Sequence, residues 1–253
     1  MERLGPGADW KEAGAYAPLL DADRPIFAWE WLRRDPGYRV AAANGAEDGA
    51  GVAVAALWGL HRFEDPDRGA PGARPLWQAR HHPFVLKAGA VPPASPSDAV
   101  EFGRFAALAT LDAAEGNGEH WLLSDGLRAI RLDLVDGTAT QGPVELHYLL
   151  AGRASANGPL LALRRLLALA ETGRFSRTLH PREPKARRWI LALRTHDALA
   201  AGASQREIAA RLLGDAAAEA RWRVDAASLR SQVQRLVRAA RGFAGGGYRA
   251  LLR

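Results

Sequence analysis

A run of arginine, glutamine and serine near the end of the chain is the stretch of this sequence best suited to a chemical task. Between residues 228 and 241 the apolar side chains recur at the spacing of one helical face. The other positions carry hydrogen-bond donors and positive charge, and no acid occurs from residue 226 to residue 253. Such a face matches phosphates and the major-groove edges of guanine and adenine. The pattern therefore predicts a helix that contacts double-stranded DNA.

Different parts of this predicted helix are suited to different contacts. The residues predicted to read base edges are Arg230, Ser231, Gln234 and Arg235, because arginine and glutamine pair with guanine and adenine. Arg238 and Arg241 are predicted to hold phosphates. A further backbone contact is predicted at the start of the preceding helix, where free N–H groups favour an anion. The predicted DNA-binding residues are Ser204, Gln205, Arg206, Ser228, Arg230, Ser231, Gln234, Arg235, Arg238 and Arg241.

Two shorter predicted helices precede this one and would position it. The first spans residues 186–201. Gly202 is predicted to end it, because glycine can adopt the left-handed conformation at little cost. Ser204-Gln-Arg-Glu207 fits a capping box at the start of the second, which ends at Gly214. The order is that of a helix-turn-helix with one departure. The link over residues 215–227 has thirteen residues, whereas three or four are usual.

Positive charge is concentrated in the same part of the chain. Residues 174–253 carry 17 Arg and Lys against 6 Asp and Glu, whereas residues 1–173 carry 17 against 22. A GC-rich genome would enrich arginine throughout the chain, so the contrast within one sequence needs another cause. It favours a basic module that contacts nucleic acid, carried by an acidic remainder.

The whole chain predicts an α+β protein of three parts. Residues 1–66 form an aromatic-rich helical module, residues 75–178 a small antiparallel sheet with helices, and residues 179–253 the three-helix helix-turn-helix variant. In the central part, Ile130, Leu132 and Leu134 alternate with charged residues, which is typical of a half-exposed strand.

Local signals set further boundaries. Pro25 suits a first helical turn, and Asp35-Pro36-Gly37 is predicted to end that helix. Its many aromatic side chains either pack on the following domain, which we favour, or contact a protein partner. Residues 40–51 are predicted to form a flexible link, and residues 98–114 a helix that Ser97 caps.

Several classes of protein are excluded or disfavoured. The chain has no cysteine, so it has no disulfide framework and no thiolate metal site. It has no apolar run of membrane-spanning length and no secretion signal, so a cytoplasmic protein without membrane contact is expected. Its histidines lack the spacing of a helix-borne metal site, and no nucleophile elbow or phosphate loop occurs. We therefore expect no enzyme, no metal and no cofactor.

Parts of both ends of the chain resemble a known family. The C-terminal stretches that carry the resemblance are His180–Pro184, Ser204–Ala209, Trp222-Arg223, Ser228–Val233 and Gly246–Leu252. They resemble a proteobacterial domain of FseA-type transcriptional activators and QseM-type antiactivators of integrative and conjugative elements. Asp9-Trp10, Tyr16 and Phe27–Tyr38 resemble the N-terminal domain that accompanies it in FseA-like proteins.

The resemblance implies a helix-turn-helix variant that controls the excision or transfer genes of a mobile element. The predicted function is therefore a DNA-binding transcriptional regulator that acts as an activator. Its implied partners are promoter DNA, RNA polymerase and an antiactivator with a related domain. The alternative is an antiactivator or adaptor that binds a related regulator through the same domain without binding DNA. A further alternative, within DNA binding, is an architectural or replication-initiation protein.

Overall fold

The computed structural model describes residues 9–45, 51–113, 118–214 and 227–253. Helices lie at both ends of the chain around one five-stranded sheet, which confirms the predicted α+β class. The α-helices are α1 (Arg24–Leu32), α2 (Pro36–Gly45), α3 (Gly51–Leu57), α4 (Asn157–Thr172), α5 (Ala186–Ala200), α6 (Gln205–Leu213) and α7 (Ala227–Ala244), and 3₁₀ helices span Ala13–Asp21, Phe102–Phe105 and Gly247–Leu252. Within the described ranges, none of these helices has the length and apolar character that crossing a membrane requires.

The sheet is mixed rather than purely antiparallel. Its strands are β1 (Val85–Val91), β2 (Ala109–Ala113), β3 (Glu119–Ser124), β4 (Ala129–Asp136) and β5 (Glu145–Leu149), in the order β2-β3-β4-β1-β5. β1 and β4 run parallel, and the other neighbouring pairs are antiparallel. The prediction of an antiparallel sheet is therefore wrong for one pair. The chain passes through β2 and β3 before β4 joins β1, and a connection of that length permits parallel pairing.

The two faces of the sheet differ in chemistry. Ile130, Leu132 and Leu134 of β4 pack on α4, as their alternation predicts. Arg131 and Asp133 lie on the opposite face, where they are only 2% and 7% exposed. The strand is therefore buried on both sides, which corrects the prediction that it is half exposed. The chain that follows α3 covers this second face, and Arg131 Nε donates to the carbonyl of Trp77 at 3.1 Å.

The prediction of a helix over residues 98–114 is wrong. The structure has only a short 3₁₀ helix there, followed by β2, which pairs with β3. Val100 also forms an isolated antiparallel bridge with Val144. The apolar residues of this stretch fit a helical period, but pairing with a neighbouring strand satisfies the same backbone groups and overrides the local preference.

The link predicted over residues 40–51 is also wrong in part. α2 continues to Gly45 and α3 begins at Gly51, while residues 46–50 lie outside the described ranges. α1 ends at Leu32, shortly before the predicted stop at residues 35–37, and α2 begins within that stop at Pro36. Asp35 Oδ1 accepts hydrogen bonds from the N–H groups of Gly37 and Tyr38, at 2.8 and 3.2 Å. Pro36 occupies the first turn, where its missing N–H costs nothing.

The N-terminal aromatic residues pack against the C-terminal helices. Trp31 stacks on Phe243 with ring centroids 5.1 Å apart, and Phe27 meets Trp189 edge-on at the same distance. The buried residues of the last 3₁₀ helix join the same core. The favoured expectation was packing on the following domain. Trp77 and Leu127 of the central part do join this core, and the C-terminal helices, which the expectation did not include, complete it, so the two ends of the chain share one core.

A buried ion-pair network reinforces this contact. Arg34 at the end of α1 binds both carboxylate oxygens of Asp197 on α5, at 2.7 and 2.9 Å. Its Nη1 donates to Glu30 Oε2 at 2.6 Å, and the Tyr16 hydroxyl donates to Asp197 Oδ2 at 2.6 Å. Burial alone would raise the pKa of Glu30, but Arg34 and Arg33 outweigh that effect and lower it. Glu30 therefore stays ionised beside its arginines.

Candidate nucleic-acid interface

The turn between α5 and α6 forms as the sequence predicts. Gly202 has a positive φ of 78°, and Gly214, just after α6, has a φ of 101°. The capping box is complete, since the Ser204 hydroxyl accepts from the Glu207 N–H at 3.3 Å and the Ser204 N–H donates to Glu207 Oε2 at 2.7 Å. These bonds satisfy backbone groups at the start of α6 and fix its direction.

A small apolar core holds α5, α6 and α7 together. Ile208 and Ala209 of α6 pack with Val233 and Val237 of α7, and all four are buried. Trp10, far away in the sequence, completes this core and is itself buried. Its carbonyl accepts from Arg194 Nε at 2.9 Å. The three helices are therefore built around a residue of the N-terminal segment.

The polar face of α7 points outward. Val233, Val237 and Ala240 are buried on one side of the helix. The exposed side chains form a continuous stripe on the other side, because residues three or four apart lie next to one another on a helix. This outward stripe consists of Ser231, Gln234, Arg235, Arg238 and Arg241. Ser228 is exposed as well, in the first turn.

Arg230 differs from the other predicted base readers. It is half-buried and already interacts with a neighbouring group. Its position is one step around the helix from the outward stripe, towards the packed side. Gln234 and Arg235 are exposed and are better placed to meet a ligand from solvent.

The cations of the outward stripe are not neutralised within the part of the chain that the structure describes. None of the described carboxylates forms an ion pair with Arg235, Arg238 or Arg241. Elsewhere the protein pairs its arginines readily, for example Arg128 with Asp125 at 3.0 Å. The stripe therefore carries net positive charge that an external anion can offset.

Basic residues of α5 extend this charge and were missed in the sequence analysis. Arg188 lines one groove with Gln232 and Arg235 of α7, and it lines a second groove with Lys185. Arg187 beside them is exposed. No described carboxylate pairs with these three cations either. The run Lys-Ala-Arg-Arg was visible in the sequence, but only the packing of α5 on α7 places it beside the outward stripe.

The predicted residues of α6 lie apart from the stripe. Ser204, Gln205 and Arg206 are exposed at the first turn of α6. Within the described ranges no hydrogen bond joins them to α7, and the two helices meet through their apolar sides. The unusually long link predicted between the second and third helices lies outside the described residues, apart from Ala227, where α7 begins. The predicted site is therefore divided between two separate exposed surfaces of one helical core, the start of α6 and the polar side of α7.

Comparison with known families indicates the class of protein to which these surfaces belong. Residues 151–253 match a family model described as "T6SS, Transcription factor, DNA binding domain". Residues 9–63 match the model of a proteobacterial transcriptional regulator-like domain. A search of curated proteins found no match. Together the two family matches indicate a DNA-binding transcriptional regulator with DNA as its partner.

The matches also bear on the finer predictions. Neither description mentions mobile elements, so the resemblance to FseA-type and QseM-type proteins remains a prediction in that respect. The DNA-binding match begins at residue 151 and so includes α4, whereas the sequence pattern predicted a boundary at residue 179. α4 packs on the sheet through Leu166 and Leu169, which joins the matched region to the central part of the protein.

Proposed function

We propose that this protein is a sequence-specific transcriptional activator that binds promoter DNA through α7. α7 enters the major groove, the start of α6 contacts the backbone, and Lys185, Arg187 and Arg188 of α5 hold flanking phosphates. The target genes are those for excision and transfer of a mobile element, and RNA polymerase is recruited to them. The proposal on target genes rests on the sequence resemblance alone.

The observation that carries the DNA-binding proposal is the outward stripe of α7, whose cations pair with none of the described carboxylates. A helix rises about 1.5 Å per residue, so Ser231 to Arg241 covers roughly 15 Å. At 3.4 Å per base pair this is about four base pairs of one groove. The major groove is about 12 Å wide and admits one α-helix. The length of the stripe therefore suits a half-site, and the groove is wide enough for the helix that carries it.

The side chains divide by the contact they can make. Arg235 can donate two hydrogen bonds to guanine, and Gln234 can pair with adenine. Arg238 and Arg241 lie one and two turns further along the helix and can hold phosphates, which position the protein without reading sequence. Arg235→Ala should therefore reduce discrimination, whereas Arg238→Ala should reduce affinity for all DNA.

This difference can be measured once an operator has been selected from a random DNA library with the full chain. We expect Arg235→Ala to cost about 1–3 kcal/mol on the operator, roughly 5-fold to 150-fold in affinity, with little change on unrelated DNA. Arg238→Ala should weaken both complexes by similar factors. Arg164→Ala is the matched control, because it removes one exposed arginine from another helix, α4.

Two results would contradict the proposal. A wild-type protein that selects no sequence, or an Arg235→Ala variant that binds the operator as tightly as Arg164→Ala, would favour the antiactivator or adaptor. In that case the same arginines would meet an acidic protein partner, and their loss would affect co-purification only.

A second set of target genes follows from the matched family description, which names type VI secretion. The two sets of target genes can be distinguished by mapping the DNA sites that the protein occupies in its host and by measuring transcript levels in a deletion strain. Loss of excision and transfer transcripts supports the mobile-element proposal, and loss of secretion transcripts supports the second. A rise of either set in the deletion strain would contradict an activator role.

A further inference from the structure

Three polar residues from distant parts of the sequence meet on the face of the sheet opposite α4. His61 follows α3, His120 lies on β3, and Asp133 lies on β4 directly across from His120. The backbone N–H of His61 donates to the carbonyl of Leu76 at 2.9 Å, which holds its segment against the sheet. Nothing in the sequence spacing of residues 61, 120 and 133 indicates that they converge.

The geometry of this cluster is close. One potential ligand atom from each of the three residues lies within 4.8 Å of those from the other two. The two imidazole rings have centroids 3.7 Å apart with planes 33° apart. His61 Nε2 is buried, yet it has no hydrogen-bond partner among the described residues. A buried polar atom without a hydrogen-bond partner destabilises the folded state, so its presence needs an explanation such as a bound ligand.

We propose that His61, His120 and Asp133 bind a divalent transition-metal ion, with Zn²⁺ as the best match. Two imidazoles and one carboxylate suit zinc and its neighbours in the first transition row, whereas calcium and magnesium prefer oxygen ligands throughout. Three protein ligands leave one position of a tetrahedral ion open for water. The ion would join the segment after α3 to β3 and β4 and so fasten the N-terminal module to the sheet.

Asp133 is held in place by a neighbouring cation. Arg131 Nη2 donates to Asp133 Oδ1 at 2.8 Å, and His120 Nδ1 lies 2.9 Å from the same oxygen. Oδ2 makes no hydrogen bond within the described ranges and is free to bind an ion. Such outer contacts orient metal ligands in many sites. Because the two rings stack, one of them must turn about its Cβ–Cγ bond before both nitrogens face a single ion.

The proposal is tested on the full chain after it has been stripped with a chelator. Calorimetric titration with Zn²⁺ should show one ion bound per chain. Thermal unfolding should show a higher melting temperature with Zn²⁺ than without it. His61→Ala and Asp133→Asn should each weaken binding at least about tenfold, since changes even in outer-shell partners cost that much. His147→Ala is the matched control, because His147 is an exposed histidine that lies 3.4 Å from Glu145.

A second measurement does not depend on the folding of any variant. In the wild-type protein, Zn²⁺ should shift the ring nitrogen resonances of two histidines and leave the other five unchanged. Stripped wild-type protein that binds no Zn²⁺ would overturn the proposal, as would a folded His61→Ala variant that binds as tightly as His147→Ala. Either result would leave the cluster as a hydrogen-bonded, stacked contact between the N-terminal module and the sheet.

Discussion

Asp197→Ala is expected to lower the free energy of unfolding by about 3–5 kcal/mol, because it removes one of the two carboxylates that balance the buried guanidinium groups of Arg33 and Arg34. The side chains of Arg34 and Asp197 are only 4% and 8% exposed. Arg34 makes two hydrogen bonds to Asp197 and would retain only those to Glu30. The hydrogen bond from the Tyr16 hydroxyl to Asp197 would also be lost. Since these bonds join the N-terminal module to α5, the loss should loosen the support of the DNA-binding helices.

Urea unfolding of the variant measures this cost. Asp67→Ala is the matched control, because Asp67 pairs with Arg39 at 2.8 Å but is 71% exposed. Exposed pairs contribute at most about 1 kcal/mol. Replacing both Arg34 and Asp197 with apolar residues of similar size should restore much of the stability that either single change removes. An Asp197→Ala protein no less stable than Asp67→Ala would show that the network does not hold the two ends together.

Trp10→Ala is the second change with a large expected effect, about 3–5 kcal/mol, because it opens a cavity at the centre of the three C-terminal helices. Trp10 is 7% exposed and packs with Ile208 and Val233. The adjacent Lys11 carbonyl accepts from Arg211 Nε at 2.9 Å, so the whole segment is fastened to α5 and α6. Removing the indole should also weaken DNA binding, although this residue is far from α7 in the sequence.

Thermal and urea unfolding, with DNA affinity measured on the same preparations, test this effect. Leu57→Ala is the control, because it removes a large apolar side chain that is 75% exposed. Its cost should stay within about 0.5 kcal/mol. A Trp10→Ala variant that unfolds at the same urea concentration as Leu57→Ala would mean that the N-terminal segment does not complete the helical core.

Local signals in the sequence were sufficient for the C-terminal helices. Gly202, the Ser204–Glu207 capping box and the amphipathic period of α7 depend on neighbouring residues only, and each forms as predicted. The same is true of the alternation in β4, which correctly placed Ile130 and Leu132 in one core. Each of these features depends only on residues that are close to one another in the sequence.

The features that the sequence could not predict depend on contacts between distant segments. The parallel pairing of β1 with β4 was not predicted, and the pairing of β2 with β3 puts a strand where a helix was predicted after residue 98. Arg34 and Asp197 are separated by 163 residues, and no pattern in either segment points to the other. For the interface, the period of α7 identified the outward stripe, but only the packing of α5 on α7 added Lys185 and Arg188.

The salt dependence of DNA binding tests the proposed interface most directly. If about six phosphates are neutralised by the cations of α5, α6 and α7, the logarithm of affinity should fall against the logarithm of salt concentration with a slope near −5. Fluorescence anisotropy of a labelled duplex over a range of KCl gives this slope, and Arg238→Ala should reduce it by about 1. A flat response, or a slope that Arg238→Ala leaves unchanged, would contradict the assignment of α7 to DNA.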